Sequence, residues 1–272
     1  MSSRLAAAFE RARAGRQPAL ITYLVPGHPT PEETPALLDA MIEGGAAMVE
    51  IGVPFSDPLA DGTTVQRVSF EALQHGTTLA KCIDFARAAR ARHPETPFVF
   101  MSYLNPVLAY GLERFAVDAA AAGADGVILV DLPPEEAATA RAALSARGLD
   151  LIFLVAPTSS DRRLQIVAEQ AGGFVYCVSV AGVTGARDDL APGLAEFLGR
   201  VRRCTAVPLA VGFGISRREH IESLAGIADG VVVASAILNL INASAPEERP
   251  AAVREFVAAL TGGGKASEAR QV

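Results

Sequence analysis

Glu50 stands inside an apolar run, Val49 to Val53, and Asp61 follows in a small-residue turn, the whole segment reading VEIGVPFSDPLADG. An acid on a strand, its proton held by apolar surroundings, beside a second acid in a more solvated turn is one way to run acid and base chemistry at neutral pH. Each residue alone has a plainer role. A single Glu in a strand is commonly a partnered structural acid, and an Asp before Gly is common turn chemistry. Their spacing across one strand end makes them candidates.

Such a pair needs a scaffold that holds several strand ends together. Short apolar runs of strand length recur at Ala19–Val25, Met48–Ile51, Phe98–Met101, Gly126–Val130, Asp150–Val155, Phe174–Val178, Leu209–Val211 and Gly230–Val233. Between them lie Ala-rich amphipathic stretches, among them Leu112–Ala122, Glu135–Ala146 and Arg162–Gln170, long enough to cross back over a sheet. Eight strand–helix units predict a single-domain (β/α)8 TIM barrel, whose active sites gather at the carboxyl ends of the strands. A doubly wound sheet is the competing arrangement, but no GxGxxG follows the first strand.

Before the first strand, Leu5, Phe9 and Ala12 fall on one helical face, which predicts an amino-terminal capping helix over about residues 3–14. The same segment is Arg-rich and nearly free of acids, a superficial likeness to a transit peptide, yet it lacks the apolar run of a secretory signal or membrane span. The barrel is expected to occupy residues 1–261. The tail from Gly262, GGGKASEARQV, has too little apolar content to pack and is expected to be disordered.

With 272 residues, half of them hydrophobic, the chain can bury a large core. A net charge of −6 with scattered Lys and Arg argues against a nucleic-acid partner. Cys82, Cys177 and Cys204 are widely separated and sit in apolar runs, as reduced thiols of a cytoplasmic protein would. The four histidines show no metal spacing, so no metal site is expected.

Two connections are longer than a barrel requires, Gly52 to about Thr77 and Ser179 to about Gly193, and rim loops of that length often act as lids. The second carries Thr184 in SVAGVTGARDD. The seventh run continues into GFGIS, Gly212 to Ser216, and the eighth into ASAIL, Ala234 to Leu238, so both turns offer small residues and a hydroxyl at a helix start. Ordinary N-capping by Ser216 or Ser235 explains either one. Two adjacent turns favour a phosphate held by unpaired backbone N–H groups.

VEIGVPFSDPLADG, YCVSVAGVTG and GFGIS, in this order and spacing, resemble the α subunits of tryptophan synthase, and the likeness runs from Ala19 to about Leu240. It implies cleavage of indole-3-glycerol phosphate to indole and glyceraldehyde 3-phosphate. Glu50 and Asp61 would be the catalytic pair, with Thr184 positioning Asp61. Tyr23, Met101, Ile128, Leu154, Tyr176 and Phe213 would wall the ring site, and Gly185, Gly214, Ala234 and Ser235 would meet the phosphate. The resemblance also implies a cytoplasmic α2β2 assembly with a β subunit that carries pyridoxal phosphate, this chain holding no cofactor. The partner face would run over Pro54 to Pro58, Asn105-Pro106 and Pro133. Two positions depart from the family pattern. Ala234 stands where Gly is usual, and His28 replaces an Asp in the turn after the first strand. Another phosphate-binding isomerase or epimerase barrel, or a catalytically weak regulatory subunit, are the competing readings. A sugar phosphate, however, asks for polar partners where this chain offers Phe213, Ile128 and Met101.

Overall fold

A computed structural model of the chain describes residues 3–178, 193–212 and 214–262. Eight parallel strands close into a barrel in sequence order: β1 Ala19–Leu24, β2 Met48–Gly52, β3 Phe98–Ser102, β4 Gly126–Leu129, β5 Asp150–Val155, β6 Val175–Val178, β7 Leu209–Gly212 and β8 Gly230–Val233. Closure comes from β8 pairing with β1, Val233 opposite Thr22. Every expected strand is present, displaced by at most a residue at an end.

The helices among the described residues are α1 Ser3–Ala14, α2 Thr34–Glu43, α3 Thr63–Gln74, α4 Leu79–Arg92, α5 Leu104–Tyr110, α6 Leu112–Ala121, α7 Ala138–Ser145, α8 Asp161–Gln170, α9 Leu194–Cys204, α10 Arg218–Ser223, α11 Ser235–Ala243 and α12 Arg249–Thr261. Their apolar spacing decides which face turns inward. In α9 the buried residues are Leu194, Phe197, Leu198 and Val201, the i, i+3, i+4, i+7 stripe of a helix lying on a sheet. Polar residues set several starts: Thr78 accepts from the Lys81 N–H ahead of α4, and Ser160 from the Arg163 N–H ahead of α8.

Two expectations change. The stretch Glu135–Ala146 is not one helix; Pro134, with φ preset and no N–H to lose, opens a 3-10 turn over Pro134–Glu136 and α7 follows. The stretch from Gly52 to Thr77 is not one long loop either. Its second half is α3, whose buried Val68, Ser69 and Ala72 recur at helical spacing, leaving a ten-residue rim loop over residues 53–62.

Strand side chains alternate between two environments. Outward residues such as Val49 and Ile51 pack under the helices. Inward ones, including Ile21, Met48, Val99, Ile128, Ile152, Phe174 and Val232, form a central cluster with Leu5, Ala8 and Phe9 of α1. The Phe9 and Phe174 rings lie 5.8 Å apart, so α1 plugs the amino-terminal end as expected. Its position is fixed electrostatically as well. Buried Asp125 receives Arg4 at 2.8 Å, Arg90 at 2.9 Å and the Phe98 N–H at 2.9 Å.

Candidate active site

At the opposite, carboxyl end, the register of β1 and β2 places Tyr23 beside Glu50. Glu50 is 1% exposed, and among the described residues neither carboxylate oxygen has a hydrogen-bond partner. Loss of hydration disfavours the anion, and burial alone pushes the Glu50 carboxyl up to about 8. At neutral pH the group keeps its proton.

Asp61 lies beyond β2 in the turn that leads into α3. Its N–H donates to the Pro58 carbonyl at 3.0 Å, and its own carbonyl accepts from the Gln66 side-chain amide at 2.8 Å. Burial raises its carboxyl to about 6, while a hydrogen bond from Tyr103 pulls the other way. Asp61 is therefore mostly ionised near pH 7 where Glu50 is protonated. The two acids of VEIGVPFSDPLADG are separated by environment into a protonated acid and an anion.

Tyr103, just past the end of β3, was not singled out from sequence. Its hydroxyl accepts from the Ala60 N–H at 2.8 Å and donates to Asp61, and its ring lies 5.1 Å from Phe55. One side chain thus ties both the backbone and the carboxylate of the Asp61 turn to the barrel rim. Its place directly after an apolar strand is the only signal the sequence carried.

Of the expected ring walls, Met101, Leu154 and Tyr176 are half-buried and pack on the same inward cluster as fully buried Ile128. Met101 also touches the cluster that holds Tyr23, so it joins the two sides of the chamber. Two strand-end glycines give the tyrosines room. A Cβ on Gly52 would fall 2.1 Å from the Tyr23 hydroxyl, and one on Gly212 would fall 2.3 Å from that of Tyr176. Both phenols are held well above their usual range, by burial first and then by the two carboxylates. Phe213, Thr184 and Gly185 lie outside the described residues.

The two turns expected at helix starts differ. Neither serine caps a helix: Arg217 precedes α10, which begins only at Arg218, and Ala234 precedes α11. The Ser216 N–H instead lies 3.5 Å from the His220 ring nitrogen Nδ1. The turn after β8 does lead into a helix. Ala234 precedes α11, and exposed Ser235 opens it with first-turn N–H groups that have no acceptor within the helix. Ala234 has φ −111° and ψ −74°, so its methyl requires no left-handed backbone. Gly214 is exposed, and no atom of the described residues lies within 4 Å of where a side chain would start.

His28 is 2% exposed and turned toward Glu71 of α3 at 2.8 Å, an inward contact rather than one a partner could meet. On the rim, Pro54 is buried while Leu59 is 92% exposed and Leu108 54% exposed. These two leucines are apolar surface that the proline pattern had not disclosed.

A closed eight-stranded barrel whose strand ends hold a protonated buried acid, an ionised acid in the adjoining turn and a largely apolar chamber has the build of an acid–base TIM-barrel enzyme. The family model "Tryptophan synthase alpha chain" matches residues 9–265. A tryptophan synthase alpha chain from Roseiflexus castenholzii is 51% identical over 96% of this chain and 100% of its own length. Among solved structures, subunit alpha from Legionella pneumophila aligns with a TM-score of 0.88 at 35% identity, covering 97% of this chain and 98% of its own. A tryptophan synthase structure from Mycobacterium tuberculosis aligns with 0.88 at 38% identity, covering 97% and 99%. The chain belongs to the tryptophan synthase alpha chain family.

Proposed function

We propose that this chain cleaves indole-3-glycerol phosphate to indole and glyceraldehyde 3-phosphate by a retro-aldol reaction in tryptophan biosynthesis, with Glu50 and Asp61 as its acid and its anion. Family membership supports the lyase activity. The observation that supports the residue roles is the separation of the two carboxyls, about 8 for Glu50 and about 6 for Asp61.

Breaking the bond between C3 of the indole and the glycerol side chain requires the ring to accept the electron pair. C3 gains a proton, and positive charge develops at the ring nitrogen. Glu50, protonated at neutral pH, supplies the proton to C3 and then, as carboxylate, takes the proton of the glycerol hydroxyl as that carbon becomes an aldehyde. Asp61 accepts the ring N–H and stabilises the charge there. Tyr23, Met101, Ile128, Leu154, Tyr176 and Phe213 surround the ring and keep water from it. Gly185, Gly214, Ala234 and Ser235 hold the phosphate, with the first turn of α11 contributing backbone N–H donors. Thr184 steadies Asp61 from the segment after β6.

The reaction as written needs no cofactor in this chain, and pyridoxal phosphate belongs to the β subunit that takes the indole. Exposed Leu59 and Leu108, on the same rim as Asp61, supply an apolar contact for that subunit, in an α2β2 assembly in the cytoplasm. No helix among the described residues is long and apolar enough to cross a membrane. The same reading takes residues 1–261 as one domain.

The test is indole release from indole-3-glycerol phosphate by the wild-type chain and by Asp61→Asn, each alone and with a β subunit. The reading requires release by the wild type, stimulation by the partner, and almost none from Asp61→Asn although it still binds glycerol phosphate. Undiminished release by Asp61→Asn would remove the role assigned to that residue.

A further inference from the structure

Tyr23 presents more than an apolar ring to the chamber. It is 4% exposed, and its ring leans toward the mouth of the barrel across Gly52, whose missing side chain leaves the space for the hydroxyl. Around it pack Val65 and Val68 of α3, together with Met101 and Ala234. Tyr23 is the register partner of Glu50, and α3, which packs on it, starts two residues after Asp61, so its phenol feels the charge of both acids. Among the described residues the Tyr23 hydroxyl makes no hydrogen bond. Phenylalanine would fill the same wall but place no hydroxyl beside the two acids.

We propose that Tyr23 is a positioning residue for Asp61: with the substrate ring in the chamber, its hydroxyl donates to the carboxylate, which Tyr103 holds from the other side. The proposal rests on the assignment of Asp61 as the anion that receives the ring N–H. A carboxylate held by two phenols presents a fixed oxygen to the ring nitrogen, and both donors favour its ionised form. The electrostatics agree with the placement. After burial, Asp61 acts on the Tyr23 phenol more strongly than Glu50 does, whereas for Tyr176 Glu50 comes first, so each phenol attends a different carboxylate. The titratable groups that sense the Asp61 charge are Tyr23 from β1, Tyr103 from the end of β3 and Tyr176 from β6. Among the described residues no cation contributes to its shift.

The experiment compares wild type, Tyr23→Phe, Tyr23→Leu and Asp61→Asn for indole release across pH 5 to 9, with glycerol-phosphate binding and the thermal transition as controls for folding. Tyr23→Phe keeps the ring, so KM is expected to change little while kcat falls about tenfold, the scale of one hydrogen bond to a charged group. Losing a donor to the carboxylate raises the Asp61 pKa, so the acidic limb of the profile should move to higher pH while the basic limb stays. Tyr23→Leu should raise KM as well, because the wall is then incomplete. An unchanged rate and acidic limb in Tyr23→Phe, with Asp61→Asn inactive, overturns the proposal and leaves the Asp61 assignment standing. Movement of the basic limb alone overturns it in favour of a contact with Glu50. An active Asp61→Asn overturns the assignment of Asp61 itself and the proposal with it.

Discussion

Glu50→Gln should inactivate the chain and at the same time stabilise it, increasingly so as the pH rises. The unfolded chain releases the Glu50 proton near 4.5, whereas the folded chain keeps it to about 8. Between those values the folded state binds more protons than the unfolded one, so stability falls as pH rises across that window. At about 1.4 kcal/mol per pH unit the loss is about 3 kcal/mol at pH 7 and reaches about 5 kcal/mol above pH 8. Glutamine has nearly the shape of the protonated acid and a comparable cost of burial, but nothing to ionise. The variant should therefore match wild type near pH 4.5 and exceed it by roughly those amounts at higher pH. Denaturant unfolding at pH 5, 7 and 8.5 reads the difference directly. Indole release should fall by about 10²–10⁴, the usual contribution of a positioned general acid. Parallel loss of stability in the two proteins between pH 5 and 8.5 would refute the claim that this carboxyl is folded in its protonated form. Indole release at the wild-type rate would refute its role as proton donor.

Tyr103→Phe removes the acceptor of the Ala60 N–H and a donor to Asp61 in one step. We expect a stability loss of about 1–2 kcal/mol in denaturant unfolding, with the acidic limb of the pH–rate profile moved upward because the carboxylate loses a partner. Asp125→Ala leaves Arg4, Arg90 and the Phe98 N–H without a shared carboxylate. It should cost about 3–5 kcal/mol, and hydrogen exchange should show lost protection in α1 well beyond that in α11.

The strands were legible because a buried parallel strand is a short apolar run whatever its neighbours, which is why Asp150–Val155 and Gly230–Val233 coincide with β5 and β8. Glu50 was legible for the same reason, as a charge interrupting such a run. What escaped depends on residues distant in the chain. Tyr103 meets Ala60 across 43 positions, and the fit of Tyr23 over Gly52 exists only once β1 and β2 are in register. GFGIS suggested a helix start because Gly and Ser commonly precede one. The helix begins two residues later, and no local pattern separates the two starts by so little. Burial of His28 against Glu71 is likewise a tertiary fact, since a His in a Gly-Pro turn reads as surface.

The chemistry at one end of the barrel depends on how the other end is closed. Glu50 keeps its proton only while no water or cation reaches its carboxyl, and below it the barrel is filled by Met48, Val99, Ile128, Ile152 and Phe174, with Leu5 and Phe9 of α1 completing the seal. A barrel open at its amino-terminal end would admit water beneath that layer and lower the carboxyl toward its ordinary value, leaving two anions where the proposed reaction needs an acid and an anion. The Asp125 clamp that fixes α1 thus supports the protonation state of Glu50 from the far side of the core, through packing alone. Asp61 is governed from above, by Tyr103 on the rim and by the turn that precedes α3. The two carboxyls can therefore be tuned separately although only ten residues lie between them in the sequence. Rim changes at Tyr103 should act on the acidic limb of activity, and changes in the α1 plug on the basic limb.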